Sequence, residues 1–333
     1  MTVRWGIIGA GAIARKQTAQ AIQDSKNGEL VSVMRTSLEG AQEFAHEFGA
    51  SRAYDSVASL LSDRDVDAVY VATPVYLHAS HTIAAAEAGK HVLVEKPMAL
   101  TTAECHEMMR ACRDSSVKLM VCYYQRFNAR HQKVRELLQD GVIGQVTMAQ
   151  ARQAFLYPPG PGRWRQNPAL GGGGAIMDVG VHCIDTLRFV LGEVEAVTAL
   201  VDTLAFDYLV DDTATLLLRF ENGVQGVVSA AFSVARVDEA AIDYLELTGT
   251  GGRIWTAPLG AKDSSGEIRV TTPDVEETFS YTQRTHVALI EAFGHSILHR
   301  EPVPVPGEDG LAGMEIVAAA SESAKSGHTV WLG

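Results

Sequence analysis

The sequence predicts an α/β chain in two parts. The first is a doubly wound parallel sheet and the second an α+β domain with an open, mostly antiparallel sheet. Three observations carry this. Short β-branched runs alternate with helical patterns through the first third, the rhythm of a sheet buried on both faces. A glycine turn, Gly9-x-Gly11-x-x-Ala14, follows the first of those runs directly. After "YYQRF" the pattern changes to alternating strands such as "TATLLLRFENGVQGVVSAAF", whose Asn222-Gly223 is a hairpin signal. The boundary falls at Tyr124, giving residues 1–123 and 124–333.

In order, Val3 to Ile8 is a continuous apolar run and reads as a strand, with the helix after the glycine turn running to about Gln23. Strand Leu30 to Met34, helix Leu38 to Phe48, strand Ala68 to Ala72 and helix Ala79 to Ala88 follow. Strand His91 to Val94, helix Thr101 to Arg113 and strand Lys118 to Cys122 complete the first part. In the second part, helix Arg130 to Gln139 precedes "GQVTMAQARQAF", loops, a helix from Ala175 to Leu191, and the hairpin strands. Asp309 and Gly327 bracket a last helix.

With 333 residues, 47% of them hydrophobic and 20% charged, the chain has enough apolar material for a large core in two domains. A formal charge of -12 repels nucleic acid and anionic membranes, so any phosphate must be held by local donors. Cys105, Cys112, Cys122 and Cys183 show no C-x-x-C spacing and read as small core residues of a reducing compartment. The opening "MTVRWGIIGAGAIARK" has an early Arg, three glycines and no long aliphatic run, so it reads as strand and turn and not as a signal peptide. No stretch is long and apolar enough for a membrane helix, and a cytoplasmic location is expected.

The glycine turn points to a dinucleotide in a Rossmann-type domain. Gly9 permits the tight turn, Gly11 lets a diphosphate approach the backbone, and Ala14 lets the helix pack close to the strand. At the end of the second strand, where an acid would bind the ribose 2′-hydroxyl of NAD, the chain has Arg35, Thr36 and Ser37. A cation and two hydroxyls suit a 2′-phosphate, which favours NADP and leaves NAD possible. A structural reading competes: Thr36 and Glu39 form a capping box and Arg35 points into solvent.

Ligands of an open α/β sheet sit beyond the carboxyl ends of its strands. "HVLVEKPMAL" therefore places Glu95 and Lys96 at the crevice, with Pro97 biasing Lys96 toward an extended conformation. Farther on, "GGGGAIMDVGVHCIDTLRFVLG" spaces Asp178, His182 and Asp185 at i, i+4, i+7, on one stripe of a helix. The glycine run allows that helix to start close to a ligand. One His with two acids supplies too few ligands for zinc, and no metal is expected. Together the two stretches suit hydride transfer. His182 is the general acid/base, Asp178 holds its tautomer, and Lys96 donates to the same reacting oxygen and stabilises its charge.

These pieces resemble the glucose-fructose oxidoreductase/inositol dehydrogenase/MocA family. "GIIGAGAIA", "VATPVYLH", "GKHVLVEKPMALT", "QRFNARHQKVRELLQDGVIGQV", the glycine-led helix and "GLAGMEIVAAASESAKSG" carry the likeness across nearly the whole chain. The resemblance implies Lys96, Asp178 and His182 as the catalytic set. It also implies cofactor contacts from Gly9, Gly11, Ala12, Ile13, Thr73, Pro74, His78, Glu95, Arg126, Trp164 and Arg165. Tyr124, Tyr157 and Arg163 are candidate substrate contacts. Many members carry Asn where this chain has Val75, so one contact near the cofactor differs. Within the family the chain looks most like the NADP-dependent 1,5-anhydrofructose reductases and related sugar reductases. The implied activity is hydride transfer on a sugar, polyol or anhydro sugar, in a homo-oligomer, dimer or tetramer, built through the C-terminal sheet. The alternatives are an NAD-dependent inositol or sugar dehydrogenase, or a non-catalytic NADP-sensing regulator on the same fold.

Overall fold

The computed structural model describes residues 1–235, 239–260, 265–282 and 284–333. It divides the chain into two compact units, Met1–Tyr123 with His286–Leu311, and Tyr124–Thr285 with Ala312–Gly333. The first division lies at the change of rhythm. The return of residues 286–311 to the first unit differs from the sequence reading, which kept them in the second.

The first unit holds strands β1 (Val3–Ile8), β2 (Gly28–Met34), β3 (Arg52–Tyr54), β4 (Ala68–Val71), β5 (His91–Val94) and β6 (Leu119–Val121). All pair in parallel in the order β3-β2-β1-β4-β5-β6. The chain order reverses between β1 and β4, directly where the glycine turn leaves β1, the place such sheets keep for ligands. Trp5, Ile7, Ile8, Val69, Tyr70, Val92 and Leu93 are buried in the core. β3, three residues with Arg52 and Tyr54 at its ends, and the helix Val57–Leu61, only five residues long, were not expected.

Residues 286–311 complete this unit. In helix Thr285–His299 the Phe293 ring lies 5.7 Å from that of Trp5, and Asn27 Nδ2 donates to the Glu291 carbonyl at 2.8 Å. Gly294 approaches Asn27 so closely that a Cβ would come within 2.8 Å of its side chain. The edge of β6 is also covered, since Val121 N donates to Val305 O at 3.0 Å.

Helix limits depart from the sequence reading mainly at the caps. The helix after the glycine turn starts with a π-wound turn, Ala14–Thr18, before Ala19–Asp24. Helix Leu38–Phe48 is capped by Ser37, whose Oγ accepts from Gly40 N at 3.2 Å, so the expected Thr36–Glu39 box is corrected by one residue. A capping box does form at Thr101 and Glu104, on helix Thr102–Asp114.

The second unit holds a nine-stranded sheet of β7 (Val146–Ala154), β8 (Val194–Asp202), β9 (Thr213–Phe220), β10 (Gln225–Ala231), β11 (Asp243–Gly249), β12 (Gly252–Ala257), β13 (Gly266–Thr271), β14 (Glu276–Tyr281) and β15 (Val330–Trp331). The order is β14-β13-β12-β11-β7-β10-β9-β8-β15, antiparallel except for β7 with β10. Asn222-Gly223 makes the β9–β10 turn, with Gly223 at φ 84°. Helices Ala129–Gln139 and Val181–Leu191 belong to this unit, the second led by a π-wound turn, Ile176–Gly180. Register places Leu200, Leu217, Val227 and Gln150 across four neighbouring strands on one face, where Leu200, Leu217 and the flanking Met148 are exposed. Among the described residues no helix is long and apolar enough to cross a membrane.

Candidate active site

Of the expected residues, Gly9, Gly11, Ala12, Ile13, Arg35, Thr36, Ser37, Thr73, Pro74, His78, Glu95 and Lys96 lie in the first unit. Gly9 has φ +86°, and a Cβ there would stand 2.7 Å from Thr73 Cγ2 and 2.9 Å from Thr73 N. Its N–H and that of Ala10 both donate to Met34 O. A Cβ on Gly11 would meet only Gly9 O, at 3.8 Å, so the turn is open on that side. Ala14 is fully buried and brings the helix against the sheet. Constraint at Gly9, an open approach at Gly11 and close packing at Ala14 are what a dinucleotide diphosphate requires, and the residues fit it.

Arg35 does not point into solvent. It is half-buried, and its Nη1 donates to Gly40 O at 3.3 Å, over the first turn of helix Leu38–Phe48. A Cβ on Gly40 would come within 3.2 Å of that nitrogen, so the missing side chain makes room for the guanidinium. Thr36 and Ser37 are exposed beside it.

His78 ties two strand-end segments together. Its Nε2 lies 2.9 Å from Thr73 O and its Nδ1 2.9 Å from Pro97 O, so both ring nitrogens face backbone carbonyls. Burial pushes its pKa down to about 4, against the opposing pull of those carbonyls. Beyond β5, Glu95 is 8% exposed and accepts from Tyr70 OH and, at 3.2 Å, from Lys96 N. Lys96 itself is half-buried, ahead of a cis peptide to Pro97.

The second unit holds Tyr124, Arg126, Tyr157, Arg163, Trp164, Arg165, Asp178 and His182. Asp178 sits in the π-wound turn and His182 in the helix that follows, so the three-residue stripe is not wound as a plain α-helix would wind it. Arg165 Nε lies 3.2 Å from Asp178 Oδ1, and its guanidinium stacks over Trp164 at 4.3 Å. An arginine counter-ion for Asp178 was not read from the sequence. His182 is buried with the Tyr124 ring edge-on at 5.0 Å. Asp185 is fully buried and takes Arg126 through both Nε and Nη2, at 2.7–3.1 Å, which commits two donors of that guanidinium to a structural pair. Arg163 stacks over Tyr157 at 4.6 Å and donates to Pro158 O.

One further residue matters here, and the sequence reading missed it. Asp211 accepts from Gly174 N and Ile176 N, both at 2.8 Å, and its own carbonyl accepts from Ala175 N at 3.1 Å. Burial raises its carboxyl pKa against those donors. A Cβ on Gly174 would stand 1.7 Å from Asp211 O. Gly174, the last glycine of the run, thus admits the Asp211 backbone. The available signal was the Asp211-Asp212 pair ahead of β9. Among the described residues no group of three or more His, Cys, Asp or Glu is placed to hold a metal.

Comparison with known proteins supplies independent findings. An oxidoreductase family model with an NAD-binding Rossmann fold matches residues 3–123, and the C-terminal domain model of the same GFO/IDH/MocA group matches residues 131–255. The chain is 34% identical over 325 residues to 1,5-anhydro-D-fructose reductase of Ensifer adhaerens, covering 96% of both. It is 30% identical over 332 residues to D-xylose 1-dehydrogenase (NADP(+)) 2 of Haloferax volcanii, covering 98% of this chain and 99% of that one. Levoglucosan dehydrogenase, solved with NADH and levoglucosan, superposes with a TM-score of 0.89 at 26% identity, covering 99% of each chain.

Proposed function

This chain belongs to the Gfo/Idh/MocA oxidoreductase family, and on that premise we propose that it moves a hydride between NADP(H) and a secondary alcohol or ketone of a sugar, polyol or anhydro sugar. The observation that carries the reading is the open glycine turn beside β1 in a chain that also presents Lys96 beyond β5 and the Asp178–His182 helix. Similarity over nearly the full length to a reductase and a dehydrogenase named for sugars supports that substrate class.

When bound, the nicotinamide cofactor accepts or supplies the hydride. Gly9 and Gly11 shape the turn that admits its diphosphate. Lys96 donates to the reacting oxygen and stabilises charge there. His182 holds or releases the proton of that oxygen, and Arg165 fixes Asp178 on the same helix segment. NADP is preferred because Arg35 lies over a helix N-terminus and the segment Arg35–Ser37 carries no acid. The names of the relatives divide on this point, one citing NADP(+) and one NADH. We place a second copy of the chain on the exposed sheet face around Leu200 and Leu217.

The test is steady-state turnover with NADPH and NADH across a panel of aldoses, anhydro sugars and inososes. The expected result is turnover of at least one of them with NADPH favoured more than about tenfold. Cofactor binding without turnover of any sugar would overturn the enzymatic reading, and a preference for NADH would overturn the cofactor assignment.

A further inference from the structure

Beneath Lys96 lies a buried group, Tyr70 and Cys122 beside Glu95, of which Tyr70 and Cys122 have no role above. Glu95 N donates to Val71 O at 2.9 Å and Cys122 N to Val94 O at 2.8 Å, so the parallel ladder runs on past the ends of β4, β5 and β6. Tyr70 is paired with Leu93, two residues before Glu95, and Cys122 follows the Val94–Val121 pair. Strand parity then turns Tyr70, Glu95 and Cys122 to one face of the sheet. Tyr70 and Cys122 are fully buried.

Two donors meet at one carboxylate. Tyr70 OH donates to Glu95 Oε1 and Lys96 N donates to Oε2, with Cys122 buried on the same face. Burial, reinforced by the Glu95 charge, pushes the Tyr70 and Cys122 pKa values well above their ordinary range. Both therefore keep their protons, and Tyr70 is the donor to the Glu95 acceptor. A carboxylate this buried is costly unless such donors satisfy it. The group that Glu95 holds is the peptide from which the Lys96 side chain departs.

We infer that Tyr70 is a positioning residue for the reaction: its hydroxyl, inside the sheet, locks Glu95, and Glu95 locks the Lys96 backbone that carries the ammonium. The inference rests on the role proposed for Lys96. It adds a residue with no route to substrate or cofactor of its own, acting through two neighbours.

Tyr70→Phe keeps the ring and its packing and removes only the hydroxyl. Turnover is measured for Tyr70→Phe, Glu95→Gln, the double variant, Cys122→Ala and Lys96→Ala, with the melting temperature of each. Tyr70→Phe should lower kcat by about tenfold, the scale of one lost hydrogen bond to a charged acceptor, with KM for the sugar changed less than about twofold. The double variant should lose less beyond Glu95→Gln than Tyr70→Phe loses from wild type, because the hydroxyl then meets a neutral amide in place of a carboxylate. Should Tyr70→Phe not fold, Glu95→Gln weakens the same contact from its acceptor end and should lower kcat in the same sense, with Cys122→Ala, a buried neighbour on the same face, as the packing control. Wild-type kcat in folded Tyr70→Phe, or losses that multiply in the double variant, would overturn the inference. Lys96→Ala separates the two readings. A dead Lys96→Ala beside an unimpaired Tyr70→Phe refutes Tyr70 alone, whereas a fully active Lys96→Ala refutes the lysine role on which it rests.

Discussion

Gly174→Ala should damage the enzyme far more than a one-carbon change suggests. The new Cβ would stand 1.7 Å from Asp211 O, 2.7 Å from its carbonyl carbon and 3.0 Å from its nitrogen, all backbone atoms with no rotamer to change. Ordinary contact begins near 3.4 Å, so one segment must retreat by more than about 1.5 Å. Three hydrogen bonds join the same two segments, from Gly174, Ala175 and Ile176 to Asp211. At about 1 kcal/mol each they put the loss near 3 kcal/mol, or roughly 6–12 °C in melting temperature. The displaced segment leads into Asp178 and His182, and a misplacement of about 1 Å at a reacting group costs on the order of 10²-fold in kcat. Gly173→Ala is the control, because its Cβ would press on Met177 Cγ, part of a flexible side chain. Differential scanning calorimetry and steady-state kinetics on both variants test the reasoning. Gly174→Ala with kcat within twofold of wild type and an unchanged melting temperature would refute it.

Lys96→Ala and His182→Ala should each lower kcat by ~10²–10⁴-fold, the range for a lost oxyanion donor or acid/base; turnover close to wild type in either disproves that assignment. Arg35→Asp should move the ratio of kcat/KM for NADPH over NADH toward NADH by more than about tenfold, and an unchanged ratio would show that Arg35 does not read the 2′-phosphate. His131 is fully buried, its Nδ1 lies 3.0 Å from Gln125 O, and burial beside Arg130 pushes its pKa down to about 3. The ring is neutral in the fold, so an unfolded chain takes up a proton that the folded one refuses once the pH drops below about 6.5. This contribution is whole above that pH and is lost as the pH falls toward 3, by about 2 kcal/mol between pH 7 and 5. Urea unfolding of His131→Gln should show a shallower acid loss than wild type by that amount, and parallel curves would contradict the neutral ring.

Legibility followed the range of the interaction. The parallel strands were plain because burial on both faces leaves unbroken apolar runs such as "VLV" before Glu95, and turns fixed by one residue, as at Gly9 and Asn222-Gly223, were equally plain. β3 escaped because Arg52 and Tyr54 serve the buried Asp63 with their polar ends, which hides a strand behind charges. The cap of helix Leu38–Phe48 was misread by one position because Thr36 and Ser37 are chemically equivalent candidates, and only backbone direction selects Ser37. Asp211 and Tyr70 were invisible for another reason. Each works through a partner about 25 to 37 residues away, and no spacing rule in a single chain names that partner.

The return of residues 286–311 to the first unit bears on how the protein is made. A ribosome delivers β1 through β6 early, yet Trp5 lacks Phe293 and β6 lacks its Val305 neighbour until most of the chain has emerged. The nucleotide-binding half must therefore wait, partly uncovered, while the whole nine-stranded sheet except β15 is synthesised, so neither half is an independent product of translation.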